Sequence, residues 1–155
     1  MSKKVKKARE NPASCLNEKI LTGVISLNDQ ILQAESEELS IWGLTILQYN
    51  ALRVIYEIDH NNAGLSNREI GEALTTRVPD VTRLLDRMAE KGWVIRDRDT
   101  SNRRIVRTRL TKIGKQLVKS ANQPLSLLRV KLLQDLTEEE KEMLVMLLEK
   151  ISLLA

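Results

Sequence analysis

The chain is poor in the residues that most often carry chemistry. It has one cysteine, Cys15, and one histidine, His60. A single thiol excludes an internal disulfide, and with it the disulfide-rich secreted folds. One Cys and one His cannot build a zinc site of the usual type. Nor can they supply a Ser/His/Asp or Cys/His nucleophilic set, since they lie 45 residues apart in unlike contexts. The six glycines stand alone, so no phosphate-cradling glycine loop exists. Three prolines and few glycines favour helix over a sandwich or barrel. Phenylalanine is absent and aromatics total 3%, so an aliphatic core is expected. No apolar run approaches the roughly 18 residues that span a bilayer. The basic N-terminus lacks the apolar stretch of a signal peptide. These absences point to a cytoplasmic, non-enzymatic protein with no metal, cofactor or membrane partner.

What is present is charge, unevenly placed. The net charge of +4 hides two basic clusters. Residues 1–10 carry five cations against Glu10. Residues 96–109 carry Arg96, Arg98, Arg103, Arg104, Arg107 and Arg109 against Asp97 and Asp99. Each cluster is net +4, so the rest of the chain is net −4. That division suits a polyanionic partner.

Residues 1–13 are polar and basic and read as a disordered arm. Over 14–36, Leu16, Ile20, Val24, Leu27 and Ile31 form one helical stripe, and residues 37–43 break it. Glu35, Glu37 and Glu38 read as a solvated face or loop. Three capping boxes, at Thr45, Ser66 and Thr137, predict helices over about 45–59, 66–73 and 137–154. A further helix is predicted over 78–91. Its Val78, Val81, Leu84, Leu85 and Met88 face inward, Arg83, Asp86 and Glu90 face outward, and Gly92 ends it. The period then falls to two. Residues 93–96 and 104–110 read as a β-hairpin with one apolar and one basic face. Thr111 caps a long helix that Pro124 should interrupt or kink. In the last helix the apolar run Met143–Leu148 covers the whole circumference, which requires burial on several sides. A second copy of the chain is the simplest cover.

The fold class is therefore mainly α with a small β-hairpin wing. A helix, a short helix, a second helix and a basic hairpin in that order make a winged helix-turn-helix, whose second helix enters the major groove of DNA. The stretches LTILQYNALRVIYE (44–57), LSNREIGEAL (65–74) and RVPDVTRLLDRMAEKGWVIRDRDTSNRRIVRTRLTKIGKQL (77–117) resemble the MarR family of bacterial transcriptional regulators. The resemblance implies one domain over 14–155. Dimerisation helices would occupy 14–43 and 112–155, flanking a DNA-binding lobe at 44–111. It implies a homodimer on a pseudo-palindromic operator, with a repressor as the expected role. Thr76, Arg77, Asp80, Thr82, Arg83 and Arg87 would lie at or near the major groove. Arg98, Arg103 and Arg104 would belong to the wing, with Arg103 at its tip in the minor groove. Many members release DNA when an anionic or phenolic molecule enters the cleft between the lobes, where Trp42 and Tyr49 are the candidates here. The family usually carries an Asp at the position of Asn102, bracing Arg104; Asp99 is the candidate substitute. Cys15 reads as buried or idle, because its surroundings do not match the oxidant-sensing relatives. The competing reading is a small-molecule binder of the same fold with vestigial DNA binding.

Overall fold

The computed structural model describes residues 12–74, 79–99 and 101–152. Residues 1–11 of the basic arm and the positions of Thr76, Arg77 and Val78 lie outside them; residues 12 and 13, expected in the arm, begin the first helix instead. The elements run α1 (Pro12–Ser40), α2 (Ile46–Ile58), β1 (Leu65–Ser66), α3 (Asn67–Ala73), α4 (Val81–Glu90), β2 (Val94–Arg98), β3 (Val106–Leu110), α5 (Lys112–Leu132) and α6 (Glu138–Ser152). The mainly α class with a hairpin wing is the observed one.

All three capping boxes form. Thr45 and Ser66 each accept the backbone N–H three residues on, and the Gln48 and Glu69 side chains accept in return. Thr137 and Glu140 exchange the same pair of bonds. Each box satisfies donors that a helix start leaves open.

Several features differ from expectation, and the wing strands themselves span 94–98 and 106–110 rather than 93–96 and 104–110. Helix α1 continues to Ser40 rather than ending at 36, because Leu39 is fully buried and Glu35, four residues earlier, turns inward on the same side. The Glu35 carboxylate accepts from Arg129 Nε of α5 at 2.8 Å, so it is a buried inter-helix tie and not part of a solvated face. Helix α4 starts at Val81, not 78. Asp80 caps the helix by accepting from Arg83 N at 2.9 Å, which makes Val81 its first residue. Helix α5 runs through Pro124 without interruption. Proline costs a helix interior about 3 kcal/mol, offset here by burial of Val118, Ala121 and Leu125 around it. Finally, the sheet has three strands in the order β1-β3-β2, all antiparallel. Two residues of β1 are too few to show alternation in sequence.

The core gathers Leu39, Tyr49, Leu52, Ile55, Ile70, Leu85, Met88 and Leu125, all essentially without exposure. It is aliphatic apart from Tyr49 and Trp93. This core fixes α3 and α4 against α2 and the sheet, leaving the outer face of α4 and the wing in solvent. No helix among the described residues is long and apolar enough to cross a membrane.

Candidate nucleic-acid interface

Helix α4 is held by Leu85 and Met88, with Val81 and Leu84 packed at the edge of the core. The opposite face presents Thr82, Arg83, Asp86, Arg87 and Glu90, all exposed. Arg83 and Arg87 are one turn apart, so their side chains share a face. Gly92 adopts φ +70°, the left-handed geometry that stops the helix. Lys91 Nζ sits 4.3 Å from the centre of the Trp93 ring.

The six arginines of 96–109 fall into two groups. Arg96, Arg107 and Arg109 are neutralised by Asp86, Asp99 and Asp97 respectively. Arg107 also reaches Glu69 and the Gly64 carbonyl. The hairpin's outer face is therefore charge-paired, not basic as the alternation predicted; aspartates at 97 and 99 share that face and take its arginines. Arg96, with Val94, lies on the inner side. Arg98, Arg103 and Arg104 are exposed, and their guanidinium groups have no partner among the described residues. The same holds for Arg83 and Arg87 on α4. Five unpaired guanidinium groups thus remain, on one helix and one wing.

The tip is shaped by Asp99. One carboxylate oxygen accepts from Ser101 N at 2.8 Å, from Ser101 Oγ and from Asn102 N; the other accepts from Arg107 Nε at 2.8 Å. Asn102 Oδ1 accepts from the Arg104 backbone N–H at 3.1 Å, and the Ile105 N–H closes the turn on the Asn102 carbonyl. Asp99 therefore braces Arg107 and does not substitute at Arg104, whose side chain is left free. The Ser101 hydroxyl, and then the Arg107 guanidinium, hold the Asp99 carboxyl well below the usual aspartate range. A depressed carboxyl contributes its full stabilisation above its unfolded value and loses it only as pH falls through the lower folded one. From pH 7 down to about 4, the ordinary aspartate value, the Ser101 and Asn102 amide resonances should therefore not move in NMR titration. A midpoint near 4 would show that the tip is not built this way.

The remaining candidates are placed as follows. Asp80 is the N-cap of α4, its carboxylate engaged by Arg83 N. Thr82 accepts from Asn67 Nδ2 at 2.8 Å. Tyr49 is core; its hydroxyl donates to Asn122 Oδ1 at 3.1 Å, and burial raises its pKa against the opposing pull of Arg129. Trp42 is half-buried against the core. His60 is exposed, as is Cys15, which is not buried as one alternative had it. The sequence reading missed Asn67 and Arg96. An Asn at the start of a seven-residue helix and an Arg inside a strand carry no local signal of their joint role.

The MarR family model matches residues 44–106. The MarR transcription factor from Planctomyces limnophilus is 31% identical, with 85% of this chain and 94% of that one covered at a TM-score of 0.66. A mutant MarR from E. coli, complexed with operator DNA, is 29% identical, with 87% and 96% covered and a TM-score of 0.74. MepR from S. aureus, in a DNA complex, is 26% identical, with 88% and 97% covered and a TM-score of 0.77. With its winged helix-turn-helix matched by sequence and by structure, the chain belongs to the MarR family, whose members are transcription regulators and not enzymes.

Proposed function

We propose that this protein is a sequence-specific DNA-binding repressor that acts as a homodimer on a pseudo-palindromic operator in the cytoplasm. The observation that carries the reading is the sorting of arginines. Acids neutralise those that lie flat on the wing, while Arg83 and Arg87 on α4 and Arg98, Arg103 and Arg104 at the wing stay exposed and unpaired. A helix in the major groove reads base edges, and cations at a hairpin tip read the width and charge of the minor groove. Asp80 and Thr82 at the start of α4, with Thr76 and Arg77 just before it in sequence, are assigned to the same DNA-contacting set. Occupancy of a promoter by such a dimer blocks transcription without any further contact surface.

Symmetry is supported by α1 and α6. Leu21, Ile25, Met143, Val145 and Met146 are each more than half exposed, and an open apolar groove of about 480 Å³ lies between the two helices, lined by Ile20, Val24, Leu148 and Ile151. We assign 14–43 and 112–155 to dimerisation and 44–111 to DNA binding. A small anionic or phenolic effector would act at the junction of the lobes, with half-buried Trp42 and buried Tyr49 as the candidate contacts. The alternative, a ligand-binding relic with vestigial DNA binding, has no use for five unpaired guanidinium groups on one helix and one wing.

Binding isotherms on duplexes selected from random DNA, and on a scrambled site, at three salt concentrations test this. Arg83→Ala should weaken binding and flatten the preference among operator variants, because a base-edge contact is worth about 1–3 kcal/mol of discrimination. Arg103→Ala should weaken binding to all AT-rich sites alike. Its log–log salt slope should fall by roughly 2 for the dimer, at about 0.9 per neutralised phosphate. Reversal of the two outcomes would mean that helix and wing have exchanged roles. No change in either would favour the vestigial alternative.

A further inference from the structure

Arg96 stands apart from the other wing arginines. Its side chain is only 11% exposed, so it cannot meet a DNA phosphate as the exposed Arg98, Arg103 and Arg104 can. Instead it joins three elements. Nη1 pairs with Asp86 of α4 and lies 3.4 Å from the Thr82 carbonyl, also of α4. Nη2 donates to Asn67 Oδ1 of α3 at 3.0 Å. Asn67 in turn donates from Nδ2 to Thr82 Oγ1 at 2.8 Å. The arginine is itself a residue of β2, the first wing strand.

We propose that Arg96 is a positioning residue for sequence reading. It locks the wing to the recognition helix and, through Asn67, orients the Thr82 hydroxyl. The planar guanidinium presents donors in a fixed fork, so one side chain can satisfy acceptors on α3 and α4 at once while its backbone belongs to the sheet. Asn67 uses its amide nitrogen on the Thr82 oxygen. That hydroxyl then accepts within the protein and keeps its own proton for an outside acceptor, a base edge or a phosphate. Arg83, one residue further along α4, is carried by the same helix, so the angle between groove-reading helix and wing tip is set at Arg96. The proposal rests on the DNA-binding reading above and deepens it.

Lysine at 96 keeps the charge but lacks the fork, which separates geometry from electrostatics. Arg96→Lys should speed hydrogen exchange of the wing amides, residues 97–106, by about tenfold or more, while α5 amides at Val118 and Ala121 keep their rates. Local opening has this signature; global destabilisation raises both sets together. On selected duplexes the ratio of specific to scrambled affinity should fall about tenfold, the scale of one base contact, with the salt slope unchanged. Asn67→Ala, which leaves the arginine in place, should reproduce the loss of preference to a smaller extent. It also serves if the lysine variant fails to fold. Faster exchange spread evenly over wing and α5 would overturn the proposal, as would an unchanged affinity ratio or an altered salt slope in the lysine variant. If the wild-type protein binds no duplex at all, the DNA-binding reading fails, while the exchange data still judge the lock.

Discussion

Replacing Leu147 and Leu148 with aspartate should yield monomers or insoluble chain, and operator affinity should drop by about 10²–10⁴-fold, the range lost when two linked binding events are uncoupled. Both residues are about half exposed on α6, within a run from Met143 to Leu148 in which Met143, Val145 and Met146 are also open to water and Leu144 is half-buried. Helix α1 adds Leu16, Leu21 and Ile25, each around 60% exposed. Contiguous apolar surface on this scale marks an interface, not a solvated face. Two carboxylates buried there without partners would cost more than the interface can supply. Light scattering with the binding isotherm reads both consequences. A wild-type protein that stays a soluble monomer at micromolar concentration would remove the second copy from the account.

The second large effect should come from a single methyl group. Gly114→Ala should destabilise the protein by about 3 kcal/mol, the upper part of the overpacking range. That corresponds to a Tm lower by roughly 6–12 °C for a domain of this size. A Cβ at this position would lie 2.1 Å from the Trp93 carbonyl oxygen. That oxygen has no freedom to retreat. It accepts from the Thr111 backbone N–H at 3.1 Å, and the Thr111 hydroxyl, 2.8 Å from the Gly92 carbonyl and 3.1 Å from that of Trp93, accepts the Gly114 N–H as the cap of α5. The end of the recognition helix, the start of the wing and the start of α5 meet at this point. Thermal unfolding followed by circular dichroism measures the shift; an unchanged Tm would show that the contact relaxes freely.

Much of this arrangement is legible in the sequence. Capping boxes are local chemistry, so Thr45, Ser66 and Thr137 marked their helices directly. The inward set Leu85 and Met88 followed from the helical period, and the outward Arg83 with it. Other features depend on partners far along the chain and left no local trace. Glu35 looked solvated because its partner, Arg129, is 94 residues away. Asp97 and Asp99 fall between the two expected strands as plain counter-charges, yet they decide which arginines stay free. Strand alternation distinguished two faces correctly but could not show that one was already neutralised. Arg96 read as one cation among six, and only its burial between α3, α4 and β2 separates it from those that meet solvent.

The central claim is that a symmetric pair of these winged helices reads a defined DNA sequence. Selection of bound duplexes from a random pool by the wild-type protein tests it most directly. Two recognition helices related by a twofold axis should enrich an inverted repeat, with half-site centres about one helical turn, roughly 10–10.5 base pairs, or a multiple of that apart. A pool that stays unenriched after repeated rounds, or that converges on a single unrepeated half-site, would contradict it.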